Sequence, residues 1–557
     1  MKSISILLFC VMCSIGLFLL PSFAFGAGMT LGEVKDQYAK ALRSLKRGKS
    51  EKATHLFYEL TKESAAPVAY RRRALYQLSV SFYRQKLYVA SLRYLFKYLR
   101  TSKRRRSGYF IRSLIRMMEL GEKLENEKLI RSMLWEIPLL RIVPKKGKDP
   151  FSFLTSFVSN MKRLVQLLER KKRPKRAMYI KRFISQIERL KNGLAYHLGY
   201  RFFTLGRYPY AYLLFRRIKP SGSEHYFARS RVLYGIMRMR LGDSLSSRGK
   251  FLAGAKLNLS AIRNFQTVLK IKPSLQKNIF GKIPQHPNKW LFLAQRIATF
   301  GIPRAYYALG FNLSAMQRKK KQAAIYLRKA LALYDKINTS TIEEKATVLF
   351  EKAYCFWLLG KYNQAIPLME KLHRFTYRSL YVPEYQLTLA IVYYAHTKFA
   401  KARKVIAAFW KRNVRILKAL QKMIAKGKKL KWRAAYYHYY KEQSAFAQLG
   451  KKTALPQTLL KRLPKNAHFR AWKKGLHTSL REQAMLKKRK SSWKKSSLGK
   501  EIEALYRGFD TSLKRRFGKV VLLEFKGIHR KLDRLLKNGS FVKLESLRRE
   551  RMMKEKK

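Results

Sequence analysis

Gly48-Lys49-Ser50 has the residue types that close a phosphate-binding loop, in which backbone N–H groups and a lysine cradle a polyphosphate. Such a loop also needs a glycine five residues earlier and a strand leading into it. Position 43 is Arg43 and the flanks read as helix, so the tripeptide is expected to be a helix–helix turn. Cys10 and Cys13 form a C-x-x-C, but they lie inside an apolar run from Ile4 to Leu20, where a redox or metal pair lacks polar access. Phe9 and Met12 precede them, where a lipoprotein site wants a small residue. The ten histidines include no H-x-x-x-H pair and no companion Cys or acid cluster at metal spacing. His197, His396 and His438 sit beside aromatic helix positions and read as packing or surface residues. Glu343-Glu344 and Glu501/Glu503 are the notable acid pairs. Neighbours this close on a helix point in different directions, so they read as suppliers of scarce negative charge and not as an acid–base pair. G-x-S-x-G is absent. No catalytic, cofactor-binding or metal-ligating residue is therefore expected, and no cofactor.

The N-terminus reads as an address. Lys2 is the only charge ahead of the apolar run, Pro21 breaks it, and Ala24-Phe25-Gly26 offers small residues at the −3 and −1 positions of a cleavage site. Residues 1–26 are expected to be a secretory signal peptide, with an uncleaved anchor over Ile4 to Ala27 as the alternative. The mature chain then keeps one thiol, Cys355, and no internal disulfide. It must be held by its packed core.

Composition sets what that core can be. Of 557 residues 47% are hydrophobic and 13% aromatic, enough to fold, while 28 Gly and 16 Pro are too few for a turn-rich β architecture. The repeated unit is clearest in Ala353-Tyr354-Cys355-Phe356-Trp357-Leu358-Leu359-Gly360-Lys361-Tyr362-Asn363-Gln364-Ala365-Ile366, completed by Met369 and Leu372. A second good copy is Gly199, Phe202, Gly206, Tyr208, Ala211, Phe215 and Ile218. Others are Ala41, Gly48, Ala53, Phe57 and Leu60, with Ser50 replacing the aromatic, and Ala390, Tyr393, Phe399, Ala402, Ile406 and Phe409, with Thr397 replacing glycine. Ser79, Phe82, Tyr88, Ser91, Leu95 and Tyr98 make a weaker copy. Ala323, Leu327 and Ala330 mark one with a poor first helix. Ala261, Phe265, Val268 and Pro273 mark a good second helix whose partner ends near Gly242, so 243–257 is expected to be an insertion.

This spacing resembles the tetratricopeptide repeat (TPR): a small residue at position 8, a large one at 11, glycine at 15, an aromatic at 17, alanine at 20, a large residue at 24 and a small or apolar one at 27. Small residues at 8 and 20 let two antiparallel helices approach, large ones fill the grooves, and each pair must stack on the next to bury its other face. The resemblance implies an all-α, right-handed superhelical solenoid over 31–410, degenerate at 107–190 and 275–304, with Pro284, Pro287 and Pro303 marking a connector. The expected packing residues are Ala53, Gly206, Tyr208, Ala211, Ala353, Gly360, Tyr362, Ala365 and Ala402. A helical extension over 411–450, a basic, loosely structured linker over 451–497, and C-terminal amphipathic helices over 498–557 with a charged, frayed tail complete the expected layout. The C-terminal helices are expected to pack back on the solenoid as a cap.

Charge is the remaining signal. Lys and Arg number 123 against 31 Asp and Glu, a net +92, and self-repulsion on that scale destabilises a compact state unless anions relieve it. Positions 13–16 of the six alignable units are the turn between helices. They hold Lys46, Arg47, Lys49, Arg84, Lys86, Arg207, Arg318, Lys319, Lys361 and Lys398, 10 basic residues in 24 positions where the chain average gives about five. In a solenoid these turns share one edge. The expected function is a non-enzymatic, extracytoplasmic scaffold. It binds protein partners through the solenoid, while Lys46, Arg47, Lys49, Arg318, Lys319, Lys361 and Lys398 contact an anionic envelope polymer or membrane surface. A nucleic-acid-binding helical repeat is the alternative, and export argues against it. Superhelical lytic transglycosylases, which process peptidoglycan, are also exported and basic. Their Glu-Ser catalytic motif has only the echo Glu545-Ser546, 12 residues from the end and too late for a catalytic domain.

Overall fold

The computed structural model describes residues 29–101, 108–124, 149–170, 172–220, 224–272, 289–373, 380–425, 467–489 and 491–555, with short pieces near 131–137 and 455–460. The expected signal peptide, Cys10, Cys13, Pro284, Pro287, His438 and most of 411–466 beyond Ala425 lie outside these residues. Among those described every regular element is a helix. The helices are α1 (Leu31–Lys46), α2 (Ser50–Lys62), α3 (Val68–Arg84), α4 (Tyr88–Thr101), α5 (Gly108–Leu124), α6 (Ser152–Arg170), α7 (Pro174–Thr204), α8 (Tyr208–Arg216), α9 (Glu224–Ser246) and α10 (Phe251–Leu269). They continue with α11 (Lys289–Ser314), α12 (Lys320–Asp335), α13 (Ile342–Leu358), α14 (Tyr362–His373), α15 (Pro383–Ala395), α16 (Phe399–Ala425), the short α17 (Gln457–Leu460), α18 (Ala467–Lys487), the short α19 (Ser491–Lys495) and α20 (Ser497–Glu555).

In the first body α1 packs on α2, α2 on α3, α3 on α4 and α4 on α5; in the second each helix from α7 to α16 packs on its successor, and α7, α9, α11 and α13 also pack on one another in turn. This is a helical repeat: tight antiparallel pairs whose first helices lie side by side. Contacts divide it into two bodies. The first comprises 1–142, 151–160 and 470–516; the second comprises 143–150, 161–469 and 517–557.

Local signals explain several helix starts. Thr30 and Glu33 form a capping box on α1, with the Thr30 hydroxyl accepting from the Glu33 N–H and the Glu33 carboxylate accepting from the Thr30 N–H at 2.7 Å. The Thr341 hydroxyl caps α13 by accepting from the Glu344 N–H.

The small positions lie where the two helices touch. Ala41, Ala53, Ala211, Ala353, Ala365, Ala390 and Ala402 are all fully buried. A methyl on Gly199 would come within 2.6 Å of the Phe215 ring. In the weaker copy Ser79 and Ser91 take the two small positions, and each hydroxyl donates to the other's carbonyl at 2.8 Å. The polar pair is thus satisfied inside the contact.

In five places the structure departs from the expectation. No insertion occupies 243–257: α9 runs to Ser246, the chain turns at Gly249, and α10 begins at Phe251. The small positions are Gly242 and Gly254, where a Cβ on Gly254 would lie 2.9 Å from the Gly242 carbonyl oxygen. Helices this long repeat their buried stripe every seven residues, so a frame moved by seven matches Ala261 and Phe265 equally well. Pro303 marks no connector; it is buried within α11. The poor first helix before Ala323 reflects one extra residue in its turn, which shifts the small position to Gly310, whose added Cβ would lie 2.6 Å from Leu327. Within 451–497, α18 and α19 are helical and bury Phe469, Trp472, Leu476, Leu486 and Trp493, because helical apolar spacing is hidden there among basic residues. The C-terminal region is a single helix that continues through Glu555.

Segment 470–516 completes the first body. Leu486, Trp493, Leu498, Ile502 and Tyr506 join the core built from α1 to α4. Glu482 is fully buried and its carboxylate accepts from the backbone N–H groups of Tyr88 and Val89, the first turn of α4, at 3.1 and 3.0 Å, and from the Tyr506 hydroxyl. Glu501 accepts from Tyr58 at 2.8 Å, Tyr94 at 2.9 Å and Lys97 at 3.1 Å.

Candidate functional site

The turns between paired helices are built alike. Gly48, Lys86, Lys172, Gly206, Gly249, Gly360 and Thr397 all have φ between +50° and +79°. The N–H of each donates to the carbonyl three residues back at 3.0–3.3 Å, and the following N–H donates to the carbonyl five back at 2.9–3.0 Å. This pair of bonds satisfies the last carbonyls of the first helix and demands a left-handed residue at the bend. The next carbonyl then accepts from the residue at the second small position, among them Ala53, Ala211, Ala365 and Ala402, and starts the second helix.

The residue after the bend thus occupies one fixed place in seven turns. It is Lys49, Arg173, Arg207, Lys250, Lys361 or Lys398 in six of them, all exposed, and the buried Leu87 in the seventh, where the bend residue is Lys86. The backbone sets the Cα position and solvent excludes nothing, so a long cation there extends outward. Arg173 and Lys250 escaped sequence reasoning. The first lies in a stretch with no glycine, and the second falls within 243–257, where the repeat spacing predicts an insertion. A glycine-plus-cation search independent of the aromatic at 17 finds Gly249-Lys250.

Adjacent turns touch. In the first body Arg84 donates to the Leu45 carbonyl at 2.5 Å and Gln85 to that of Ser50 at 3.2 Å, joining the α1–α2 and α3–α4 turns. In the second body Met316, beside Arg318 and Lys319, closes a shallow depression of about 420 Å³ over Phe251, Leu252 and Ala253, flanked by Lys250 and Lys256. Tyr362 and His396 stack at 5.1 Å between the α13–α14 and α15–α16 turns. Consecutive turns thus meet at three places, one in the first body and two in the second. Lys49, Lys361 and Lys398 hold the recurrent place, Lys46 and Arg47 lie just before it, and Arg318 and Lys319 lie on a short 3₁₀ turn. Gly206 and Gly360 are bend residues. Tyr208 and Tyr362 open the second helices, and Ala353 and Ala365 are buried in one core cluster.

The acids are engaged in packing. Arg296 holds Glu344 well below the ordinary carboxylate range, at about 2. Glu351 accepts from both Arg304 and Tyr334. Burial, reinforced by Glu351, pushes the Cys355 thiol up to about 12, so it is a packed group and not a nucleophile. The Ser546 hydroxyl is turned inward onto the Val542 carbonyl at 2.7 Å, and Glu545 pairs with Arg548. Among the described residues no group of three His, Cys, Asp or Glu could hold a metal, and no helix is long and apolar enough to cross a membrane.

No family model matches the chain, and no curated protein matches it. Among solved structures it is similar to a circular tandem repeat protein with a novel repeat topology, at 11% identity over 93% of this chain and 91% of that one, with a TM-score of 0.14. It is also similar to the Cut9–Hcn1 hetero-tetramer of APC/C, at 14% identity over 90% and 95%, with a TM-score of 0.16. Scores this low leave the fold resting on the chain's own helix packing.

Proposed function

We propose that this chain is an exported, non-enzymatic scaffold of the TPR kind, whose turn edges hold an anionic polymer or surface of the cell envelope while its helical array binds protein. The observation that carries the reading is the recurrence of an exposed cation at one backbone-defined place in six turns, with the Lys361 and Lys398 turns in contact. Charges spaced along an edge act jointly on an extended polyanion, because screening reaches about 8 Å at physiological ionic strength. Export is supported by Lys2, the apolar run and Ala24-Phe25-Gly26. In the first body residues 470–516 of the same chain already pack against α1 to α4.

The test replaces Lys49, Arg173, Arg207, Lys250, Lys361 and Lys398 together with Gln and titrates the protein against dextran sulfate at two salt concentrations. Affinity is expected to fall at least about tenfold, with a flatter salt dependence. A control replaces six exposed Lys or Arg residues away from the turns. Equal loss in both variants means a diffuse field and no edge. N-terminal sequencing of the mature protein should begin at Ala27, and an intact Met1 in soluble cytosol would remove the export half of the reading.

A further inference from the structure

The outward face of α20 near its C-terminus differs from the rest of the charged surface. Phe541 and Leu544 are each 66% exposed, and Leu547, Met552 and Met553 are exposed as well, so five large apolar side chains meet solvent within 13 residues. The opposite side of the helix is engaged within the second body. A Cβ on Gly539 would meet Trp410 and Phe409, Glu550 pairs with Arg403, and Arg549 covers the Tyr394 ring. At about 100° per residue, Phe541, Leu544 and Met552 fall within an arc of roughly 80°. Arg534, Lys537 and Arg548 fall in the same arc, with Arg551 beside it, and all four are exposed.

Isolated exposed apolar residues are ordinary, but an arc in which exposed Phe, Leu and Met are interspersed with Lys and Arg is not an ordinary solvated surface. Three occupants can be compared by chemistry. A second copy would bring the same cations against these and be repelled. A soluble polyanion would satisfy the cations and leave the apolar groups in water. A surface that is anionic outside and hydrocarbon inside satisfies both. The long Lys and Arg stems reach the headgroups while the apolar side chains enter the acyl boundary.

We infer that residues 534–553 are an interfacial membrane-binding face for anionic bilayers, acting independently of the turn edges. The helix is not a span; it would lie in the plane of the headgroups.

Flotation of the full chain with vesicles tests this, using phosphatidylcholine alone and phosphatidylcholine containing phosphatidylglycerol. The wild type is expected to float only with the anionic vesicles. Phe541→Ser/Leu544→Ser/Met552→Ser should bind those vesicles at least about tenfold more weakly, since these groups supply the apolar part of the affinity. Its affinity for dextran sulfate should not change. As a second readout, Phe541→Cys in a Cys10→Ser/Cys13→Ser background, carrying an environment-sensitive dye, should brighten and shift to the blue on anionic vesicles; the buried Cys355 does not compete for the label. Wild-type affinity of the triple variant for anionic vesicles, or a dye that stays in water on bound protein, overturns the inference. Equal loss on vesicles and dextran sulfate overturns it too, because the face would then act only as charge. The turn-edge variant separates the two proposals: loss of dextran sulfate binding belongs to the edges, and loss confined to vesicles belongs to α20.

Discussion

The tightest constraints fall on single small residues. Ala365 is fully buried where α14 meets α13, and nothing there can retreat without moving a helix. Ala365→Leu overpacks that contact and is expected to lower stability by about 1–3 kcal/mol in denaturant melts. Gly254→Ala should cost a similar amount, because its new methyl would sit 2.4 Å from the Ser246 hydroxyl and 2.9 Å from a carbonyl that cannot rotate away. The bend residues make the opposite prediction. Thr397 is a β-branched residue at φ +59°, a backbone region that penalises a Cβ by about 1–2 kcal/mol. Thr397→Gly should therefore raise stability by about 0.5–1 kcal/mol after the entropy of a freer unfolded chain is subtracted. The sequence shows both kinds of position in the Ala353–Ala365 unit because small residues, glycine and aromatic stand there in register. It conceals them at Lys172, where the left-handed bend is taken by lysine.

At the scale of elements, segment 470–516 is held to α2 and α4 by two carboxylates with opposite titration behaviour. Burial raises Glu482 to about 7, against the lowering effect of the Tyr506 hydroxyl and the Val89 and Tyr88 N–H groups. Burial also acts to raise Glu501, but Lys97, Tyr58 and Lys62 outweigh it and hold the carboxyl at about 2. The two signs follow from linkage. Folded Glu482 keeps a proton that the unfolded chain has released above about 4.5, so stability falls as pH rises from about 4.5 to 7 and then levels. Folded Glu501 resists protonation, so its contribution is present above about 4.5 and is lost as pH falls towards about 2. The first body is expected to be most stable near pH 5. Raising pH to 8 should cost about 2–4 kcal/mol through Glu482. Hydrogen exchange of the Tyr88–Ser91 amides across this range checks it: Glu482→Gln should abolish the limb above pH 5 and Glu501→Gln the limb below it. A pH-independent exchange rate in the wild type would contradict both assignments. The linker expected at 451–497 gave no hint of this. Burial of Glu482 depends on a helix some 400 positions away in the chain, which local composition does not encode.

Over the whole molecule, 31 acids face 123 bases, and several of the acids are drawn into contacts between helices: Glu344 on Arg296, Glu351 on Arg304, Glu550 on Arg403, Glu384 on Lys531. Most of the positive charge is then left to repel itself through solvent. The Debye length shortens from about 30 Å at 0.01 M salt to about 8 Å at 0.15 M, so the melting temperature should rise over that range, and rise further with dextran sulfate at constant ionic strength. Surface charge that is already compensated would give a flat or falling curve. A rise with salt alone and none with polyanion would leave the charge as a load without a ligand.

Helix, pairing and bend were readable from residues because they depend on spacing within about 35 positions: where small residues recur, where a glycine interrupts, where an aromatic follows. The net charge and the N-terminal apolar run are likewise properties of the string itself. Other features required tertiary structure. Lys172 and Thr397 bend like glycine because packed helices on either side fix the exit angle. Gly242 and Gly254, in place of Ala261, set the α9–α10 contact, since a seven-residue shift preserves the apolar stripe and only the actual approach of two backbones breaks the tie. The placement of 470–516 on α2 and α4, and the solvent exposure of Phe541 and Leu544, depend on which faces found partners, and that is decided by geometry between segments far apart in the chain.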